Sequence, residues 1–212
     1  MQLTKKFEIR SIKAISEFLN SQPVGRIASL DKNGYPQVIP MNFVYTQGFV
    51  YMHSHPFGEK LDNIRNNPKV GFEVDEHVCF LPSYYFHPSD ASQADTLYIS
   101  IVIKGKAEIV RDTAEKSKAL NALMEKYQKE GKYQPLTFDM RSVDEVAVIK
   151  VVPLELHGKY KIGQHWPLPY RLKIASKIIA REGHNEARKI LKTMGLQISK
   201  EGDPEFVFEP VM

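Results

Sequence analysis

The order of elements in this 212-residue chain predicts a mainly β fold, an antiparallel barrel with helical additions. Three observations carry that reading. Short apolar runs with β character follow one another through the first part of the chain. Turn residues of hairpin type separate them. Helical periodicity, by contrast, dominates the end.

Taken in order, Ile12, Ile15, Phe18 and Leu19 recur at helical spacing, so residues 11–20 are expected to form an amphipathic helix stopped by Pro23. The runs Arg26–Leu30, Gln37–Tyr45 and Phe49–His55 then form a β-meander. Asp31-Lys32-Asn33-Gly34 and Thr46-Gln47-Gly48 supply its turns, because Asn and Gly accept positive φ. A short helix over Gly58–Asn66 ends before Pro68, and Val70–Val74 is the next strand. Residues 82–96 are rich in turn formers and read as a long loop. Leu97–Val110 reads as one long strand. Asp112 caps the following helix with Glu115 in capping-box register; Leu120, Leu123, Met124 and Tyr127 form its apolar face and Gly131 ends it. Val146–Leu156 supplies a sixth strand, and helices near 170–181 and 185–194 flank a break at Gly183, with Gly195 closing the second. No internal repeat or low-complexity linker is present.

Composition is that of an ordinary folded chain, long enough for one substantial core or a core with an appendage. The longest apolar runs, such as Ile99–Ile103 and Val146–Val152, are too short to span a bilayer, and no apolar stretch follows the basic N-terminus. Cys79 is the one cysteine, which excludes an intrachain disulfide and a thiolate metal cluster; a reducing cytoplasm is the expected location. The formal charge is +4, yet Lys159–Lys200 holds ten Lys or Arg residues against Glu182 and Glu186. Without interleaved aromatics this reads as a solvated basic helix face, and neither nucleic acid nor membrane is expected as a partner.

The stretch FVYMHSHPFGEKL, Phe49–Leu61, runs from strand through polar turn to helix start. A helix N-terminus offers unpaired amide donors and a positive dipole end, Gly58 lets the backbone approach closely, and Lys60 adds an ammonium. With Ser54 and His53 these residues can seat a phosphate; a strand–helix corner with a solvated lysine is the other reading. His53 and His55 lie on one strand face, but no third ligand stands at a recognisable spacing, so no metal is expected. No Gly-x-Ser-x-Gly elbow, paired carboxylates, Gly-x-Gly-x-x-Gly or Walker loop occurs, and no catalytic acid or base can be named. Trp166 can pack on a flat cofactor, on a neighbouring subunit or in the core.

VGRIASL, PQVIPMNFVY, GFVYMHSH, GEKLDNIRNNPKVGFEV and YISIVIKGKAEIV follow in that order. This succession resembles the pyridoxamine 5′-phosphate oxidase-like superfamily, especially its branch related to nitroimidazole-resistance proteins, over about residues 10–160. The resemblance implies a six-stranded antiparallel split β-barrel over 1–160, with 161–212 as a C-terminal helical extension. It also implies a homodimer that holds FMN at the subunit interface. By position Pro40, Met41, Asn42 and Phe43 would line the isoalloxazine edge through backbone groups. His53 and Ser54 would stand beside the ribityl and phosphate, Gly58 at the close approach, and Lys60 on the phosphate. Ser100, Gln164 and Trp166 would come from the second subunit. Two departures stand out. Glu59 replaces the basic residue that precedes the lysine in the oxidase itself; Arg26 either compensates or is a strand arginine paired elsewhere. The oxidase's C-terminal Arg-x-His signature is missing, so pyridoxamine phosphate oxidation is not expected. The expected function is an FMN-binding oxidoreductase acting on a small organic acceptor such as a nitroaromatic or quinone; the alternative is a non-catalytic flavin- or haem-binding or regulatory protein of the same fold.

Overall fold

The computed structural model describes residues 5–210. Its strands are β1 (Glu8–Ile9), β2 (Gly25–Leu30), β3 (Pro36–Met41), β4 (Val44–Thr46), β5 (Phe49–Ser54), β6 (Lys69–Leu81), β7 (Asp95–Ile109), β8 (Ala147–Lys161), β9 (Leu196–Ile198) and β10 (Pro204–Phe206). Five helices accompany them: α1 (Ile12–Ser21), α2 (Glu59–Asn66), α3 (Thr113–Tyr127), α4 (Arg141–Asp144) and α5 (Leu168–Thr193). Strands β3-β2-β6-β7-β8-β5-β4 follow one another in the sheet, and β1 pairs with β8. Pairings β2–β3, β2–β6, β4–β5, β5–β8 and β1–β8 are all antiparallel. The mainly β architecture with helical additions is therefore as expected, in an eight-stranded sheet rather than a six-stranded one and with no pairing that closes it.

The extra strands have a local cause. The run Gln37–Tyr45 breaks into β3 and β4 because the Phe43 amide donates to Tyr127 Oη at 2.8 Å, outside any ladder. β1 has only two residues, too few for an alternation to show. β6 continues past Val74 through Asp75, Glu76 and His77, whose polarity reads as a strand end.

Two compact units form. One joins Ile15–Val74 with Ile101–His157; the other consists of the described parts of Met1–Ala14, Asp75–Ser100 and Gly158–Met212. In the first, α3 packs Ala119, Leu120 and Leu123 against Val44, Tyr51 and Val148. Asp112 caps α3 by accepting from the Ala114 amide at 2.9 Å. Glu115 does not reach back as a capping box; it accepts from Tyr51 Oη at 2.8 Å and pairs with Lys150 at 2.9 Å. Burial, and after it the hydrogen bond to the Glu115 carboxylate, push the Tyr51 hydroxyl up to about 12 against the opposing pull of Lys150. Gly25 is required by close approach, since a Cβ there would lie 2.2 Å from the Phe72 ring.

The end of α3 holds the β3–β4 junction. Lys126 Nζ donates to Phe43 O at 2.8 Å and Leu19 O at 3.2 Å, and sits 3.6 Å from the centre of the Phe43 ring. Burial lowers the Lys126 ammonium to about 8. In the second unit α5 buries Ile174, Ile178, Ile190 and Leu191, and it breaks at Gly183 (φ 75°) where the sequence places a break. Arg171, only 2% exposed, is held by both carboxylate oxygens of Glu209 at 2.9 and 3.0 Å. The β9–β10 hairpin was not foreseen, because each of its strands has only three residues.

Two outcomes are expected. The unfolded Lys126 keeps its proton up to its ordinary value of 10.5 while the folded one releases it near 8, so wild type gains stability relative to Lys126→Met as pH rises between those values. Denaturation midpoints measured across that window check this. Glu209→Ala leaves the Arg171 guanidinium buried without its counter-charge and lowers unfolding free energy by about 1–3 kcal/mol, read from urea titration.

Candidate functional site

Strand β5 ends where its pairing with β8 ends: His53 lies opposite Val148 and Ser54 opposite Ala147. His55 has left the strand, so the two histidines do not share a strand face as their spacing suggests. Ser54 Oγ donates to His55 O at 3.0 Å, and the Phe57 amide donates to His55 Nδ1 at 3.3 Å, which folds the chain into a tight corner. Gly58 follows at φ 138° and ψ 158°, a backbone region that disfavours any side chain, and a Cβ on it would meet nothing within 4 Å. The space beside Gly58 is thus open. Its carbonyl accepts from the Leu61 and Asp62 amides, but it has no side chain with which to cap the first-turn donors of α2.

Lys60 stands in that first turn, partly buried, with Nζ 3.4 Å from Met41 Sδ. No carboxylate among the described residues lies within ion-pair distance of it, and burial lowers its pKa. A partly desolvated ammonium beside a thioether can accept an anion as a partner. A cavity of about 300 Å³ opens there, lined by Gln37, Ile39, Ser54, His55, Phe57 and the residues from Gly58 to Leu61. Glu59 lines it too, with its carboxylate accepting from Gln37 Nε2 at 2.6 Å. Arg26 does not compensate for this carboxylate: it pairs with Glu73 at 3.0 Å.

The remaining expected residues are placed as follows. Met41 meets Lys60 directly, while Pro40 and Asn42 are exposed on either side of it. Phe43 is fully buried; its amide goes to Tyr127 and its carbonyl to Tyr127 and Lys126, so its backbone serves the core. Ser100, Gln164 and Trp166 belong to the other unit. Gln164 ties its own loop, donating to Tyr160 O at 2.7 Å and Lys6 O at 3.2 Å and accepting from the Ile162 amide at 3.0 Å. Trp166 packs beside Phe86, His165 and Tyr170 on that unit's core. Among the described residues no group of three or more His, Cys, Asp or Glu side chains is arranged to hold a metal, and no helix is long and apolar enough to cross a membrane.

Four residues with a part in the site were not foreseen. Lys126 and Tyr127 fix the Asn42–Phe43 junction, and Gln37 and Asn63 orient Glu59. No spacing in the sequence announces them, because each acts across 22 residues or more.

A family model described as pyridoxamine 5′-phosphate oxidase matches residues 11–160. None of the curated proteins compared with the chain matches it. Among solved structures, a candidate 5-nitroimidazole antibiotic resistance protein from Bacteroides thetaiotaomicron aligns with a TM-score of 0.60 at 28% identity, over 72% of this chain and 85% of its own. The flavocytochrome Anf3 from Azotobacter vinelandii gives 0.62 at 17% identity, over 76% and 72%. The FAD and haem binding protein from Mycobacterium smegmatis gives 0.63 at 15% identity, over 80% and 79%. At those identities the last two share the fold alone. With the match extending over well more than half of its length, the chain belongs to the pyridoxamine 5′-phosphate oxidase family.

Proposed function

We propose that this protein binds FMN, with the phosphate seated at the start of α2, and works as an oxidoreductase on a small organic acceptor. One observation carries the reading: the Lys60 ammonium, partly buried and without a carboxylate, faces a cavity at an uncapped helix N-terminus. A phosphate there restores the charge balance that burial has upset. The first-turn amides add donors, Ser54 Oγ adds one when it turns from His55 O to the phosphate, and Gly58 leaves room for the phosphate oxygens. Structures related by fold that are named for flavin binding support the choice of cofactor.

When bound, FMN supplies the redox chemistry, while the protein binds, orients and shields it. Lys60 and the α2 terminus hold the phosphate. Met41, anchored against Lys60, carries the Pro40–Asn42 strip that lies along the ring edge in this reading. The clamp of Lys126 and Tyr127 on Phe43 keeps that strip in place. His53, exposed at the strand end, is a ligand contact. A homodimer completes the site, with Ser100 supplied by the second copy and Gln164 and Trp166 shaping the loop beside it. The substrate is a small molecule such as a nitroaromatic or a quinone.

An absorption titration with FMN tests the reading. Wild type is expected to bind, and Lys60→Ala to weaken binding about ten- to a hundredfold, the value of one charge-assisted hydrogen bond. Equal binding by both proteins would move the phosphate elsewhere; no binding by wild type would remove the flavin altogether. A Soret band in the purified protein would instead assign His53 or His55 to haem. Turnover of an acceptor by the loaded protein separates an enzyme from a flavin-binding module.

A further inference from the structure

Glu59 sits one residue from the phosphate lysine, where a carboxylate is out of place. Its side chain is exposed to solvent, yet it is tethered. Its carboxylate accepts from Gln37 Nε2 at 2.6 Å, and Gln37 Oε1 in turn accepts from Asn63 Nδ2 at 3.2 Å. Asn63 is 4% exposed and lies 3.5 Å from the hydroxyl of Ser29, itself buried. A relay of side chains rooted in the interior therefore fixes Glu59 at the wall of the cavity. No cation among the described residues pairs with Glu59, and Arg26 is engaged by Glu73. The charged and titratable groups facing the cavity are Glu59, Lys60 and His55.

Glu59 and Lys60 line the same cleft, so a phosphate held by Lys60 feels the charge of Glu59. A phosphomonoester carries two negative charges above its second pKa of about 6, and a phosphodiester carries one. The ammonium and the carboxylate sum to zero, and repulsion from the carboxylate is about twice as large for a dianion as for a monoanion.

We infer that Glu59 sets the choice among flavin phosphates at this cleft, favouring a singly charged phosphate over the FMN dianion. FMN then enters at the cost of its second charge, whereas a flavin with an esterified phosphate avoids that penalty. The inference rests on the flavin reading above.

The test is the dissociation constant of riboflavin, FMN and the methyl ester of FMN for wild type and Glu59→Gln at pH 8, where FMN is a dianion and its ester a monoanion. Gln keeps the hydrogen bond to Gln37 and removes the charge. FMN is expected to bind the variant about three- to tenfold more tightly, the ester to gain by a smaller factor and riboflavin to stay unchanged. FMN binding that does not tighten, or an equal shift for all three flavins, overturns the inference while leaving flavin binding intact. Failure of every flavin to bind wild type removes the flavin reading and this inference with it.

Discussion

The antiparallel pairing of β5 with β8 governs where the candidate site lies. It runs from Val50 opposite Val151 to Ser54 opposite Ala147, and there it stops. Beyond that point the chain has no ladder to follow, so Ser54 and His55 satisfy their polar groups locally and turn the backbone toward Gly58. A shift of one residue in this register would turn Val50 and Met52, both fully buried, to the opposite face. The apolar core thus determines the point at which α2 begins. Lys60, in the first turn of that helix, meets Met41 at the end of β3.

Arg171, Lys126 and Lys60 are among the cations partly or wholly removed from water, and each is accommodated differently. Arg171 is paired with the carboxylate of Glu209, which pins residues near the C-terminus to the core of their unit. Lys126 has only backbone carbonyls and an aromatic face as partners, so burial lowers its affinity for a proton and its role is to hold the Phe43 junction. Lys60 has a thioether and an open cavity. The first two have oxygen partners within the protein, although Arg171 Nε is buried without one. Lys60 differs from both in the cavity beside it.

Much of this was legible in the sequence where the signals are local. The hairpin turns, the Asp112 cap, the break at Gly183 and the strand–turn–helix corner at Phe49–Leu61 each depend on residues a few positions apart. What escaped depends on distant partners. Glu115 stands in capping-box register, yet Tyr51 and Lys150 compete for it successfully across the fold. Phe43 reads as part of a continuous strand, and only Tyr127 and Lys126 show why the strand breaks there. Arg26 looks available for a phosphate until its cross-strand neighbour Glu73 is seen. Glu59 raises the question of charge at the site, but its anchoring through Gln37 to Asn63 has no sequence signature.

The central claim is that a flavin phosphate rests on the first turn of α2. Amide resonances of nitrogen-labelled protein, followed during addition of FMN, test it most directly, because the donors in question are backbone N–H groups. The account predicts the largest shifts at Glu59 and Lys60, with smaller ones at Ser54 and Met41. Saturable FMN binding that leaves the Glu59 and Lys60 amides unmoved would contradict it.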